Sequence, residues 1–147
     1  MYPIFSEKIQ HLNYVLNEIN SLYHDAAAQV GLSDSAFHIF YALCEEGAPC
    51  TQSLIAKRLG ISRQTVNSAV SKLQKEGFLY LSPGEGRNQL IYLTEQGEAL
   101  VREKIHPIIC IENTIFDDWS ESEQSEYICL NQKFRDEFRA HLSALKR

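Results

Sequence analysis

Apolar residues recur at threes and fours over most of the chain. Ile9, Leu12, Leu16, Ile19, Tyr23, Ala26 and Val30 trace one stripe, which predicts a long amphipathic helix. A second helix is expected from a cap at Ser33 to about Glu46, with Phe37, Phe40, Tyr41 and Leu43 as its apolar content. Thr51 then opens a short helix that faces inward with Leu54, Ile55 and Leu59, because its hydroxyl can accept a free backbone N–H of the first turn. Gly60 ends that helix, since glycine reaches left-handed backbone angles without a Cβ clash and lets the chain turn within a few residues. Ile61 is expected to plug the corner and Ser62 to cap the next helix, on which Val66, Val70 and Leu73 form the buried stripe. Two helices joined by a short glycine turn define a helix-turn-helix.

The period changes after Glu76-Gly77. Phe78-Leu79-Tyr80-Leu81 and Gln89-Leu90-Ile91-Tyr92-Leu93 are short aromatic and apolar runs that can pair as a hairpin, and the Pro- and Gly-containing segment between them projects as a loop with Arg87 near its tip. From Thr94 the helical period returns through Ala99, Leu100, Ile105, Ile108, Ile109 and Ile115, across Pro107, where the missing N–H is expected to kink the helix. Ser120-Glu121-Ser122-Glu123 fits a capping box and opens a last helix with Tyr127, Leu130, Phe134, Phe138 and Leu145 inward. The expected fold class is mainly α with a small β-hairpin wing: a winged helix-turn-helix domain over residues 33–94, flanked by helical regions 1–32 and 95–147. Helices this long at both ends cannot all wrap one small winged domain. The economical arrangement interdigitates the ends of two chains and buries their stripes in a dimerisation layer; a monomeric helical bundle is the alternative.

The polar positions decide between a solvated helix and a reading helix. Besides the cap Ser62, the outer faces of the second helix of the pair carry Arg63, Gln64, Thr65, Asn67, Ser68, Ser71, Lys72 and Lys75, side chains that bond base edges or phosphates. No acid occurs from Arg63 to Lys75, whereas a merely solvated face normally mixes both signs. Between Thr51 and Thr94 six bases stand against two acids, a net of plus four, on a chain of net charge minus five, which leaves minus nine for the remainder. Only the docking face meets phosphates, so this contrast between segments matters more than the total. An arginine at the tip of the loop suits entry into a minor groove.

At 147 residues the chain supports one core, or one core plus a dimerisation layer. No segment approaches the roughly 20 apolar residues that span a bilayer, and the N-terminus lacks a charged region followed by an apolar run, so a cytoplasmic protein without a membrane partner is expected. Cys44, Cys50, Cys110 and Cys129 form no Cys-x-x-Cys pair, and reduced thiols are expected. No Gly-x-Ser-x-Gly elbow, glycine-rich phosphate loop or His-Glu-x-x-His helix is present, which argues against an enzyme. A winged helix used only for protein contacts is the competing class; its affinity would barely respond to salt, whereas DNA affinity falls steeply as counterions compete.

The capped helix after Ser33, the helix-turn-helix, the wing with Glu85-Gly86-Arg87 and the Leu93-Thr94-Glu95-Gln96-Gly97 start of a long helix resemble the MarR family of winged-helix transcription regulators, over nearly the whole chain. The resemblance implies a homodimer on a pseudo-palindromic duplex operator, with major-groove roles for Arg63, Gln64, Asn67, Ser68 and Ser71 and a minor-groove role for Arg87. It implies a repressor released by an effector. One departure is Glu85, where the family often has aspartate; its flanking glycines are expected to leave the loop looser and the arginine less firmly oriented.

Regulators of this kind respond to small ligands, metals or oxidants. An organic effector has His11, Tyr14, His38, Phe40 and Tyr41 available on the first two helices, residues that equally fit an aromatic core. For a metal, His106 and Cys110 share a helix face and His38 can approach from the second helix, an imidazole and thiolate set that suits zinc. Pro107 interrupts that face and no fourth ligand is evident, so no metal or other cofactor is expected. For an oxidant, Cys50, beside Thr51 in a loop, is the cysteine expected to be most exposed.

Overall fold

Six hydroxyls set the helix starts. In the structure, a computed structural model that describes residues 2–146, the side chains of Ser6, Ser33, Thr51, Ser62, Thr94 and Ser120 each accept the N–H three residues on, from Ile9, Ala36, Leu54, Thr65, Gly97 and Glu123, at 3.0 to 3.2 Å. These caps satisfy donors that have no acceptor inside the helix. They open α1 (Glu7–Gln29), α2 (Asp34–Glu46), α3 (Gln52–Leu59), α4 (Arg63–Lys75), α5 (Glu95–Leu100) and α7 (Glu121–Leu145). α5 runs on through a π-helical turn over Val101–Ile105 into α6 (His106–Asp117).

That π-helical turn lies directly before Pro107. The His106 N–H bonds the Val101 carbonyl, five residues back. The proline lacks an N–H and its ring crowds the carbonyl four residues before it; widening the preceding turn accommodates both without breaking the helix.

The strands are β1 (Cys50–Thr51), β2 (Leu79–Pro83) and β3 (Gln89–Leu93), in the order β1-β3-β2, all antiparallel. Leu79 faces Leu93 and Pro83 faces Gln89, so the hairpin extends two residues beyond the first apolar run. The third strand was not expected; two residues carry no alternation, and Cys50 and Thr51 are held only because Ile91 and Leu90 lie opposite.

The chain forms two compact units, one through Ile108 and one from Ile109. In the first, α2 supplies the centre of the core: Phe37, Ile39, Phe40, Ala42 and Leu43 are buried with Ile55, Val66, Val70, Leu73, Leu79, Ile91 and Ile105. α1 is tied to α2 by His24, whose Nδ1 lies 2.7 Å from an Asp34 carboxylate oxygen, and by Tyr23, edge-on to Tyr41. In the second, Trp119 stands 5.1 Å from Phe116 and 5.3 Å from Tyr127 between ring centres, and the Gln124 amide donates to the Phe116 carbonyl. No helix among the described residues is long and apolar enough to cross a membrane.

Two inward assignments are corrected. Leu54 is exposed and Ala56 takes its place in the core, because α3 rolls to put Ile55 and Ala56 against its neighbours. Ile61 is 41% exposed, so the corner is left partly open instead of plugged. The stripes of α1 and α7 are not covered within the single chain: Leu12, Leu16 and Ile19 are exposed, and Phe134 and Phe138, stacked at 5.9 Å, are 55% and 56% exposed.

Candidate nucleic-acid interface

Burial of Val66, Val70 and Leu73 fixes the roll of α4. The opposite positions then point outward: Arg63, Gln64, Asn67, Ser68, Lys72 and Lys75 are exposed, and Ser71 is half-buried. The turn before α4 depends on Gly60, at φ 65°, whose N–H bonds the Ala56 carbonyl; a side chain is strained at that angle. Ser62 and Thr65 have a different task from their neighbours. Their hydroxyls are 2.8 Å apart and Ser62 also takes the Thr65 N–H, so both oxygens are engaged in holding the start of the helix.

The wing is pinned at its base. The Gly84 N–H donates to the Asn88 carbonyl at 2.8 Å, the Asn88 N–H to the Glu85 carbonyl at 3.3 Å, and Gly86 sits at φ 64° in the left-handed region between them. Arg87 is exposed on this loop.

α4 and the wing meet at one depression. Arg63 and Asn67 of α4, Arg87 and Gln89 of the wing, and Gln52 and Ser53 of α3 line the same polar cleft, and no carboxylate lines it. Sequence reasoning assigned neither Gln52 nor Ser53 nor Gln89 to the interface. The signal for the first two was the cap at Thr51, which places them in a first helical turn whose N–H groups lack intrahelical acceptors.

Arg58 leaves the basic set. Its Nε lies 3.1 Å from Glu45 Oε2 and 3.0 Å from Glu46 Oε1 on α2. Among the described residues neither Arg63 nor Arg87 has an ion-pair partner. Of the other five bases between Thr51 and Thr94, four lie on α4 and the wing, and Lys57 lies on α3.

The sensor residues are dispersed. His38 donates its Nδ1–H to the Asp34 carbonyl, 2.7 Å away, and lines a depression with Ile39, Leu59, Ile61 and Thr65. Tyr41 stacks on Phe37 at 5.9 Å and buried Phe40 lies edge-on to Phe78, while His11 and Tyr14 are exposed on α1. His106 and Cys110 are exposed one turn apart on α6, and among the described residues no three His, Cys, Asp or Glu are grouped to hold a metal ion. Cys50 is the plain correction: it lies in β1, buried, and not in an exposed loop. Burial, and then the nearby Glu46 charge, push its thiol above the ordinary range, and burial with Glu45 does the same to Cys44. A thiolate at Cys50 is thus disfavoured, the reverse of what a reactive cysteine needs.

The MarR family sequence model matches residues 30–87. The transcriptional regulator PecS of Dickeya dadantii is 33% identical over 98 residues, covering 64% of this chain and 59% of that protein. A MarR family regulator from Neisseria meningitidis superposes with a TM-score of 0.82 at 20% identity, covering 95% of this chain and 99% of the other. BpsR of Bordetella bronchiseptica, whose DNA binding is regulated by 6-hydroxynicotinic acid, superposes at 0.66 with 23% identity, over 92% and 99% of the two chains. The two superpositions show that the fold is shared.

Proposed function

We propose that the chain, a DNA-binding transcription regulator of the MarR winged helix-turn-helix family and not an enzyme, works as a cytoplasmic homodimer on a two-fold operator. Each copy lays α4 in a major groove, with half-sites about 34 Å apart. Gln64, Asn67, Ser68 and Ser71 face the base edges, Lys72 and Lys75 the backbone, and Arg87 the adjoining minor groove. Residues 33–94 form the DNA-binding domain; residues 1–32 and 95–147 form the dimerisation region. The exposed apolar stripes of α1 and α7 support the second copy, since isolated helices would not keep such faces in water.

One observation carries the reading: the outward face of α4 has no carboxylate and opens onto a cleft shared with the wing arginine, on a chain whose net charge is negative. Bound at a promoter, the dimer blocks transcription. A small organic effector releases it by favouring a spacing of the two α4 helices that mismatches the operator, and lowers affinity only by that preference. The regulation of BpsR by 6-hydroxynicotinic acid supports an effector of that size.

Gel-shift titration tests the reading face. Gln64→Ala or Asn67→Ala relaxes base preference by about 1 to 3 kcal/mol where the amide makes a bidentate contact, whereas Arg87→Ala weakens binding to most sequences. Wild-type behaviour of all three variants would remove the assigned face.

A further inference from the structure

We propose that Arg63 and Arg87 grip one and the same backbone phosphate, on the strand that separates the major groove taken by α4 from the minor groove reached by the wing, with the start of α3 closing the site. The inference rests on the DNA-binding reading and deepens it, because it moves Arg63 from the major-groove role the resemblance implies, and Arg87 from the minor groove itself, to a joint anchor on the backbone between the two grooves. Four observations lead there. Arg63 on α4 and Arg87 on the wing line a single cleft although they are far apart in sequence. That cleft is polar and free of carboxylates. Arg58, by contrast, is held by Glu45 and Glu46, while neither cleft arginine has an ion-pair partner among the described residues. Ser53 and Gln52, in the first turn of α3, where backbone N–H groups lack intrahelical acceptors, bring a hydroxyl and an amide to the same cleft.

The chemistry of such a set is that of an anion with several acceptor oxygens in fixed geometry. Guanidinium groups bind phosphate oxygens by paired, charge-assisted hydrogen bonds, and two of them facing one cavity without a counter-charge repel each other until an anion enters. The ligand is a phosphodiester of the duplex; a free phosphate ion shares its chemistry. Since α4 and the wing lie in the same compact unit, the grip fixes the register of both on the duplex at a single point. Phosphate contacts position a protein on DNA, and base contacts then specify the site.

The test is a double-mutant cycle on a selected operator, with full-length wild type, Arg63→Gln, Arg87→Gln and the double variant followed by fluorescence anisotropy across a salt series. Each single change is expected to weaken binding about tenfold. The double variant is then no more than about twofold weaker than the poorer single, because the second arginine has lost the shared phosphate. The slope of log affinity against log salt falls by about 0.9 in the double variant, one phosphate's worth, instead of about 1.8. Placing a neutral methylphosphonate at successive positions identifies one linkage at which wild type drops to the level of both single variants and neither single variant drops further. Additive losses of about a hundredfold, or different sensitive linkages for the two arginines, would overturn the shared grip while leaving the regulator reading intact. Saturable binding of inorganic phosphate without DNA, lost in either single variant and accompanied by additive losses on DNA, would reassign the cleft to a free anion and overturn the proposal. A wild-type protein that bound no duplex at all would overturn both.

Discussion

The Thr94 hydroxyl donates to the Gly77 carbonyl at 2.6 Å, which joins the residue leaving the wing to the residue leaving α4. The same oxygen accepts the Gly97 N–H at 3.0 Å, and the Thr94 N–H donates to the Phe78 carbonyl at 3.0 Å. Gly97 packs so closely on this corner that a Cβ there would collide with the Phe78 carbonyl oxygen. The exit of α4, the return of the wing and the start of α5 are thereby one hydrogen-bonded joint. Thr94→Val keeps the shape but removes the cap and leaves the Gly77 carbonyl short of a donor, so unfolding in urea is expected to show a loss of about 1 to 3 kcal/mol. Thr94→Ser should recover most of it. An unchanged midpoint for Thr94→Val would show that the joint carries no weight.

The ion pairs of Arg58 predict an asymmetry among the basic residues. With its guanidinium already shared by Glu45 and Glu46, Arg58→Gln is expected to change DNA affinity by less than about twofold and stability by under about 1 kcal/mol, since the pair is partly exposed. The converse change is more telling. Glu45→Gln with Glu46→Gln frees a cation, and anisotropy titration should show tighter binding with a salt slope steeper by up to about 0.9. A loss for Arg58→Gln as large as that for Arg87→Ala would place Arg58 on the DNA instead.

Much of the fold was legible because it rests on local chemistry. Ser33, Thr51, Ser62, Thr94 and Ser120 are short hydroxyl side chains placed before apolar periods, and each caps the helix it was expected to open. Val66, Val70 and Leu73 share a face at any helix roll and are all buried. What escaped depends on partners distant in the chain. The strand at Cys50–Thr51 exists only through its pairing with β3. The withdrawal of Arg58 depends on acids 12 and 13 residues earlier, brought near by the α2–α3 packing. The cleft joins Ser53, Arg63 and Arg87 from three elements, and no spacing rule connects them. Pro107 was seen, but the π-helical turn before it was not, since a proline alone does not fix how the preceding turn accommodates its ring.

Cys50 gives a pH-dependent expectation. Burial and Glu46 raise its thiol in the folded chain, so less thiolate is present at neutral pH than in an unfolded chain. Native-state alkylation by iodoacetamide at neutral pH is therefore expected to be at least about tenfold slower at Cys50 than in urea. Because the folded value is the higher one, the stability gained from keeping this proton is complete below the unfolded thiol's value and is lost as pH rises through the folded value. Mass spectrometry of labelled peptides checks the rate; equal labelling in both states would contradict the burial argument.

The central claim is that a carboxylate-free helix and an arginine-tipped wing read duplex DNA. Its most direct test is selection of bound duplexes from random-sequence DNA, followed by titration of the winning sequence over a range of salt. The account predicts a two-fold symmetric site with half-sites about 10 base pairs apart and an affinity that falls steeply as salt rises. Selection that enriches no sequence, or an affinity indifferent to salt, would contradict it.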